Sequence, residues 1–558
     1  MTYDEKAKLI VYQVYPKSFK DANGDGIGDL RGILEKVPYL ASLGVNALWL
    51  SPVYQSPMAD NGYDISDYTA IHPDYGTMDD MKALIEVIHQ HDMKLIMDLV
   101  INHTSDEHPW FVESRQSVDN PKRDFYIWRK GRKGHKPPNN WTSFFTGKAW
   151  TYDATTDAWY LHLFNAKQPD LNWRNPDVYE AIKTMIEYWV DLGVDGFRCD
   201  VINLLSKHPA YPQGRRRIAL TGQEHYLNQP ETHTILQRLN REVFAKHNLI
   251  TVGETVFVTP EEAIEFVDPK RQELDMVFHF EHMGVDNHFK WFLRKFKPKK
   301  LKKILYKWQT ALENKGLNAL YFENHDQPRS VSRFGDDQTW HHASATMLAT
   351  LLFTMKGIPY IYQGQEIGMT NARFDQLESY RDVESLSVYA LGRKKLKLSH
   401  RRMMKKLMIM SRDNARTPMQ WSDALGAGFT TGNPWIDIPK STRHIHVEKA
   451  LADPSSIIHY YKKLIALRKA EPVFVSGDFT PYLIHHKTLY VYTRTHGEQC
   501  VLVVVNHAPK PTHYTLPKAL HGDYDIVLSN TDIDTFESRG VLKPYQAVIV
   551  KQRKLKKP

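Results

Sequence analysis

Ionisable side chains close four short apolar runs in this chain of 558 residues. The runs are DLVINH, GFRCD, VGE and ENHD, and their ionisable residues include Asp98, His103, Arg198, Asp200, Glu254, His325 and Asp326. Because burial of an unpaired charge is costly, one such residue would be explained by a local ion pair or a helix cap. Four such run ends instead predict a single polar pocket.

Carboxylic acids beside an arginine and two histidines suit the cleavage of a glycosidic bond. One carboxylate attacks the anomeric carbon, while a second, kept protonated by apolar surroundings, gives its proton to the leaving oxygen. A third orients sugar hydroxyls and stabilises positive charge that develops on the ring. Arg198, two residues before Asp200, is expected to lower the pKa of that carboxyl and to fix its rotamer.

Strands that alternate with helices are predicted through most of the chain and would position these residues. Runs such as VNALWLSPV and KLIMDLVINH flank segments of helical period such as DDMKALIEVIHQHDM. The number of units approaches eight, which favours an α/β fold of the TIM (β/α)8 barrel type over an open doubly wound sheet. The carboxyl ends of barrel strands line the active site, so this fold would bring the four run ends together.

The predicted barrel is interrupted twice and followed by a separate domain. It comprises residues 1–103 and 172–475, with an irregular insertion at about 366–445. A stretch rich in Trp, Asn, Pro and Lys follows the third strand and predicts an inserted subdomain over residues 104–171. Residues 476–558 contain short β runs separated by Pro, Gly and Asn, which predict an antiparallel β-sandwich domain.

Composition argues against several other classes of protein. The formal net charge is +9, yet the sequence has no zinc-ligand spacing and no nucleotide-type Gly-rich loop, and we interpret the tail KQRKLKKP as a solvated terminus. No apolar stretch reaches the ~20 residues of a membrane span, and the first residues do not resemble a signal peptide. Cys199 and Cys500 are far apart, which is typical of a reducing cytoplasm. We therefore predict a cytoplasmic protein with neither a nucleic-acid nor a membrane partner.

The four motifs resemble those of the α-amylase superfamily, glycoside hydrolase family 13, in order and in spacing. The likeness extends to YQVYPKSFKDANGDGIGDLRGI, DNGYDISDY, QPDLNW and RDNARTPMQW, and so covers nearly the whole chain. Within this family the sequence resembles the group of oligo-1,6-glucosidases, dextran glucosidases and trehalose-6-phosphate hydrolases.

This resemblance implies a retaining mechanism without a catalytic cofactor. Asp200 matches the nucleophile, Glu254 the general acid/base and Asp326 the transition-state stabiliser, and the first two carboxyl groups are expected ~5–5.5 Å apart. The residues that the resemblance assigns to the pocket for the non-reducing glucose are Asp60, Tyr63, His103, Phe164, Arg198, His325 and Arg416. Cys199, next to the nucleophile, is expected to face the core.

The stretch DANGDGIGD has the composition of a calcium loop. Acidic residues and Asn alternate with Gly, although the Glu that ends an EF-hand loop is absent, and a metal-free loop of Asx turns is the alternative. The family resemblance implies a structural Ca²⁺ ion at this loop. Its expected ligands are the side chains of Asp21, Asn23, Asp25 and Asp29 and the carbonyl of Ile27.

Two features associated with relatives favour α-1,6 links. They are QPDLN at 168–172 and a valine, Val201, directly after the nucleophile. The predicted function is therefore an exo-acting, retaining α-glucosidase that hydrolyses short α-glucosides from the non-reducing end, with a di- or oligosaccharide as substrate.

Basic residues in two loops favour an alternative substrate that carries a phosphate. They are Lys290, Arg294, Lys295, Lys297, Lys299 and Lys300 before the ENHD run, and Arg215, Arg216 and Arg217 after GFRCD. A cationic rim of this kind suits a phospho-α-glucosidase such as trehalose-6-phosphate hydrolase. For Lys302, Lys303 and Lys307 we predict only a solvated helix face.

Overall fold

Eight parallel strands form a closed barrel at the centre of the protein. The computed structural model describes residues 1–145 and 147–553, so the last five residues of the predicted solvated tail lie outside the described part. The strands are β1 (Val11–Val14), β2 (Ala47–Leu50), β3 (Lys94–Leu99), β4 (Gly196–Cys199), β5 (Ile250–Glu254), β6 (Met276–Phe278), β7 (Leu317–Leu320) and β8 (Ile358–Tyr362). Each strand pairs with its neighbours in chain order, and β1 pairs with β8 to close the barrel. The predicted TIM barrel is confirmed.

A helix follows each barrel strand. The helices are α1 (Leu30–Leu43), α2 (Met78–Gln90), α3 (Pro176–Asp191), α4 (Pro230–Leu239), α5 (Pro260–Val267), α6 (Pro298–Ala311), α7 (His341–Thr354) and α8 (Ile457–Ala470). Proline opens α3, α4, α5 and α6, where its missing N–H would have had no partner in the helix. Thr77 and Thr259 form capping boxes at the starts of α2 and α5. No described helix combines the length and the apolar character needed to cross a membrane.

The barrel strands are covered on both faces. All residues of β1, β2, β4 and β5 are buried, as is typical of parallel strands enclosed by helices. Cys199 belongs to the hydrophobic core, in agreement with the sequence prediction. Against this background Asp98 and Arg198 are exceptional, because each is a fully buried charged residue inside a strand.

A small antiparallel sheet lies between β3 and α3. Its middle strand, Ala158–Leu161, pairs with Trp128–Arg129 on one side and with Trp150–Asp153 on the other. An isolated bridge between His103 and Asp170 joins this inserted subdomain to the end of β3. The fold class with an insertion after the third strand is confirmed, while the exact domain boundaries stay predictions.

The C-terminal part is antiparallel, as predicted. Its five-stranded sheet contains β9 (Asp478–Tyr482), β10 (Leu489–His496), β11 (Gln499–Asn506), β12 (Tyr524–Ser529) and β13 (Ala547–Gln552), in the order β9-β10-β11-β13-β12. A two-stranded ribbon, Thr512–Thr515 with Arg539–Leu542, contributes Tyr514 and Leu542 to the core on one face of this sheet.

The prediction of a solvated face on α6 is wrong for Lys302. Lys303 and Lys307 are exposed, but Lys302 is fully buried, and burial lowers its pKa to about 8. Its Nζ donates hydrogen bonds of 2.7–2.8 Å to the backbone carbonyls of Leu483, His486 and Leu489. This side chain therefore joins the barrel to the C-terminal domain.

Candidate active site

One guanidinium group binds three carboxyl groups at the carboxyl ends of β3, β4 and β5. Arg198 Nη1 donates to Asp98 Oδ1 and to Asp200 Oδ1, each at 2.6 Å. Arg198 Nη2 lies 2.7 Å from Glu254 Oε2. Strand β4 can hold a buried arginine because its neighbours supply these acceptors, and charge-assisted hydrogen bonds are stronger than neutral ones.

Burial raises the pKa of Asp200 to about 6. The cation of Arg198 lowers it, as the sequence predicted, although the loss of solvent outweighs that effect and the net pKa is raised. The Asp200 carboxyl group is still ionised at neutral pH. It can therefore act as a nucleophile there.

Glu254 has the opposite protonation state at neutral pH. Burial raises its pKa to about 8, because the attraction of Arg198 is weaker than the loss of solvent and the negative charges of Asp200 and Asp326 add to it. Oε2 of Glu254 accepts the backbone N–H of Val201 at 3.2 Å as well as the Arg198 guanidinium. The proton of Glu254 therefore belongs on Oε1.

The backbone of Val201 is strained. Its φ of 36° lies in the left-handed region, which a β-branched residue rarely adopts. Strain of this kind persists where the surrounding structure enforces it, and it is often found at functional sites. Here it accompanies the tight turn that points the Val201 N–H at Glu254.

Asp326 lies in a group of cations beyond β7. Burial alone would raise its pKa, but the neighbouring His325 ring and the charges of Arg412 and Arg416 hold the pKa of that carboxyl well below its usual range. Arg412 Nη1 lies 3.3 Å from Asp326 Oδ1, and Arg416 donates both to the same carboxylate and to the carbonyl of His325. Asp326 is thus a fixed negative charge.

His325 is held as a neutral ring. Burial lowers its pKa to about 3. Its Nδ1 lies 2.7 Å from Gln13 Nε2, and its Nε2 lies 2.8 Å from the hydroxyl of Tyr63, which donates to Asp98 Oδ2 at 3.1 Å. We infer from this network that the ring proton is on Nε2. The rings of Tyr15 and Tyr63 lie nearly parallel to the imidazole, with ring centroids 6.0 Å and 5.4 Å from its own.

A second group of polar side chains surrounds Asp60. Gln168 Nε2 donates to Asp60 Oδ2 at 3.2 Å and lies 3.1 Å from His103 Nε2. Arg412 Nη2 is 3.4 Å from Asp60 Oδ1. The Phe164 ring packs against His103 with 5.2 Å between ring centroids. These contacts join the inserted subdomain to the barrel at the site.

The structure thus brings together every residue that the sequence predicted for catalysis and for glucose binding. Sequence reasoning missed Gln13, Gln168 and Arg412, and it noted Asp98 without giving it a role. Gln13 is the polar residue within the buried strand VYQV, a pattern that could have identified it. Arg412 precedes Arg416 by four residues in RDNAR, a spacing that puts both on one side of a helical turn.

The predicted cationic rim is partly neutralised. Lys290 forms an ion pair with Glu384, whose carboxylate also accepts the indole N–H of Trp291 at 2.9 Å. Residues 294, 295, 297, 300 and 215–217 of the predicted rim are exposed, and Lys299 is half-buried. Lys290, the rim residue whose charge lowers the pKa of Asp326, is therefore already paired with an acidic residue.

The predicted calcium ligands are hydrogen bonded within their own loop. Asp21 Oδ1 accepts the N–H groups of Asn23 and Gly24, while Oδ2 accepts from Gly26 and Thr430. These four hydrogen bonds occupy the acceptor sites of the Asp21 carboxylate.

The other predicted ligands are also engaged. The Asn23 amide donates to Asp25, Asp25 accepts the N–H of Ile27, and Asp29 caps α1. Among the residues that the structure describes, no cluster of three His, Cys, Asp or Glu side chains has the arrangement of a metal site. In this conformation the loop oxygens are engaged by nearby N–H and O–H donors, although oxygen donors of this kind are those that Ca²⁺ prefers.

Comparison with known proteins identifies close relatives over the full length. Residues 13–477 match the family model for the catalytic domain of alpha amylase. The chain is 51% identical over 554 residues to the oligo-1,6-glucosidase of Parageobacillus thermoglucosidasius, with 98% of each chain covered. It is 43% identical to the trehalose-6-phosphate hydrolase of Bacillus subtilis (strain 168), again with 98% of each chain covered. The crystal structure of the trehalose-6-phosphate hydrolase of Bacillus licheniformis matches with a TM-score of 0.95 at 45% identity, covering 98% of this chain and 99% of that chain.

Proposed function

Because this chain belongs to glycoside hydrolase family 13, the α-amylase family, we propose that it is an exo-acting, retaining α-glucosidase for short α-glucosides with α-1,6 links favoured. The observation that carries the proposal is the set of carboxyl groups around Arg198. At neutral pH one is ionised and another is protonated, which are the two states that glycoside cleavage needs.

In the first step Asp200 attacks the anomeric carbon and forms a glucosyl ester. Glu254 gives its proton to the departing oxygen, so no alkoxide has to leave. Asp326 remains ionised and stabilises the positive charge on the ring. In the second step Glu254, now a carboxylate, takes a proton from a water molecule whose oxygen attacks the anomeric carbon. The bond to Asp200 breaks, and glucose is released with its original configuration.

We propose that the remaining site residues hold the non-reducing glucose. They are Asp60, Tyr63, His103, Phe164, Arg198, His325 and Arg416. Arg412 contacts both Asp60 and Asp326, and so lies across the polar end of the site. A site closed at that end accepts a terminal glucose and excludes a longer chain, which supports exo action.

Two observations favour a neutral α-1,6-linked substrate. The relative with 51% identity is named an oligo-1,6-glucosidase, and the chain carries QPDLN and Val201. In addition, the ion pair with Glu384 cancels the charge of Lys290, which weakens the case for a phosphate at that position.

Trehalose-6-phosphate hydrolysis is the second candidate. It is the named activity of a relative with 43% identity, and the exposed cations at 215–217 and 294–297 would suit a phosphorylated sugar. The chemical step would be unchanged, because only the leaving sugar differs.

Kinetics with the two sugars decide between the candidates. We expect kcat/KM to be at least about tenfold higher for isomaltose than for trehalose-6-phosphate, a difference of about 1.4 kcal/mol in transition-state binding. The preference should change little between low and high salt, because Lys290, the rim cation that influences Asp326, is already paired with Glu384. A higher kcat/KM for the phosphorylated sugar that falls with salt would make the second candidate correct.

We also propose that the loop 21–29 binds a structural Ca²⁺ ion, on the strength of its donor chemistry. Asn23 and Asp25 are exposed and can turn their oxygens inward. Millimolar Ca²⁺ should then raise Tm relative to EDTA by a few degrees, and Asp25→Ala should abolish that difference, since ligands that bind only the folded state stabilise it. An equal Tm in Ca²⁺ and EDTA would leave the loop as a set of Asx turns.

The proposed location is the cytoplasm. Both cysteines are free thiols, Cys199 in the core and Cys500 half-buried. Burial raises the pKa of Cys199, so this thiol is unreactive. Free thiols of this kind are compatible with a reducing compartment.

A further inference from the structure

The excess positive charge of this protein is concentrated in two segments that contain no acidic residue. Residues 287–312 hold nine Lys and Arg residues, and residues 385–412 hold another nine. The formal net charge of the whole chain is only +9, so the rest of the chain is net acidic. The positive charge is therefore a local property, and it requires a local explanation.

Most of the second segment lies in a helical hairpin, here called the basic hairpin, formed by Val383–Lys394 and His400–Met410. Its exposed cations are Arg393, Lys394, Lys395, Lys397, Arg401, Arg402 and Lys405. Within the described part of the chain, none of these seven forms an ion pair with a carboxylate. A cluster of like charges without counter-charges has free capacity for an anionic partner.

The first segment adjoins the basic hairpin. Lys406 donates a hydrogen bond to the carbonyl of Trp291, and its ammonium group lies 5.5 Å from the ring centroid of Phe292. Glu384, at the start of the hairpin, pairs with Lys290. Residues 289–300 and the basic hairpin therefore form one continuous surface.

Large apolar side chains are exposed on the same surface. Leu396 is 55% exposed in the turn of the hairpin, between Lys395 and Lys397. Phe292 is 53% exposed and Phe289 47% exposed in the adjoining segment. Cations that flank exposed Leu and Phe are typical of surfaces that lie in the headgroup region of a bilayer.

We propose that the basic hairpin and residues 289–300 bind the surface of an anionic lipid bilayer. The lysines and arginines would attract the phosphate headgroups, while Leu396 and the two phenylalanines would enter the boundary of the acyl chains. A nucleic acid would satisfy the cations equally well, but it offers no apolar layer for an aliphatic side chain. The contact is peripheral, and it differs from the sequence-based prediction that the protein has no membrane partner.

Co-sedimentation of the full chain with vesicles tests this contact. We expect binding to vesicles with about one-third phosphatidylglycerol in phosphatidylcholine, and little binding to phosphatidylcholine alone. Raising NaCl from about 0.05 M to about 0.5 M should release most of the protein, because the attraction is screened. Failure to bind phosphatidylglycerol vesicles at low salt would overturn the proposal.

Two charge variants locate the surface. Replacing Arg393, Lys394, Lys395 and Lys397 with Gln should weaken vesicle binding at least about a hundredfold. Replacing four exposed lysines elsewhere, Lys133, Lys136, Lys510 and Lys518, with Gln is the matched control and should have little effect. Both variants should keep the kcat/KM of the unchanged protein for a neutral α-glucoside, which verifies folding. Equal losses of binding in the two variants would refute a specific surface.

Leu396→Ser separates a lipid surface from a general polyanion. It keeps every charge, so binding to transfer RNA, used as a soluble polyanion probe, should be unchanged. Vesicle binding should weaken by about threefold or more, because an apolar side chain no longer enters the bilayer. Unchanged vesicle binding together with equally tight RNA binding would instead identify a polyanion site.

Discussion

Asp200→Ala should lower kcat by on the order of 10⁴-fold or more, and azide should restore part of the activity. The alanine removes the group that forms the glucosyl ester, but it leaves space on the same face of the sugar. Azide can enter that space and attack the anomeric carbon of an activated α-glucoside in a single step. One displacement inverts the configuration, so the product should be β-glucosyl azide, detectable by nuclear magnetic resonance.

Asp98→Asn is the matched control for that experiment. Asp98 also accepts a hydrogen bond from Arg198, but it lies near the carboxyl end of β3, accepts a second hydrogen bond from Tyr63, and has no proposed bond-forming role. Its replacement should reduce kcat without azide rescue. If azide accelerated the Asp98 variant and had no effect on Asp200→Ala, the assignment of the nucleophile would be wrong.

The barrel and most of the site could be predicted because both depend on local patterns. Apolar runs with alternating helices specify the strand ends, and the fold then brings Arg198, Asp200 and Glu254 together without further information. The strand Val11–Val14 illustrates the limit, because nothing in its few residues indicates that Gln13 faces His325, more than 300 residues later in the chain.

The errors came from contacts between distant parts of the sequence. Lys302 resembles its neighbours on an exposed helix face, yet its acceptors lie more than 180 residues further along the chain. The sequence alone presents Lys290 as a free cation. In the structure it forms an ion pair with Glu384, which belongs to the insertion after β8. The net pKa of Asp200 depends on burial, which a sequence does not specify. Predicting these contacts and this pKa requires the tertiary structure.

Glu254→Gln should show two effects that follow from the pKa of about 8. The first is kinetic. The unchanged enzyme needs Asp200 ionised and Glu254 protonated, so kcat/KM should fall below pH 6 and above pH 8. Gln cannot give a proton, so kcat/KM for isomaltose should drop by about 10²–10⁴-fold and the alkaline limb should vanish. An aryl glucoside with an acidic leaving group should lose much less in its first step.

The second effect is on the stability of the fold. The direction in which stability changes with pH distinguishes a buried acid from a solvated one. A solvated glutamic acid side chain has a pKa of 4.5, whereas burial raises the pKa of Glu254 in the folded protein to about 8. The folded state therefore binds a proton that the unfolded state has released, and stability falls as pH rises from 4.5 towards 8. Gln carries no charge and avoids this loss.

Tm of Glu254→Gln should then be close to that of the unchanged protein at pH 5 and clearly higher at pH 8. A variant that is equally destabilised at both pH values would mean that Glu254 is ionised in the folded protein, and the acid role would have to belong to another residue.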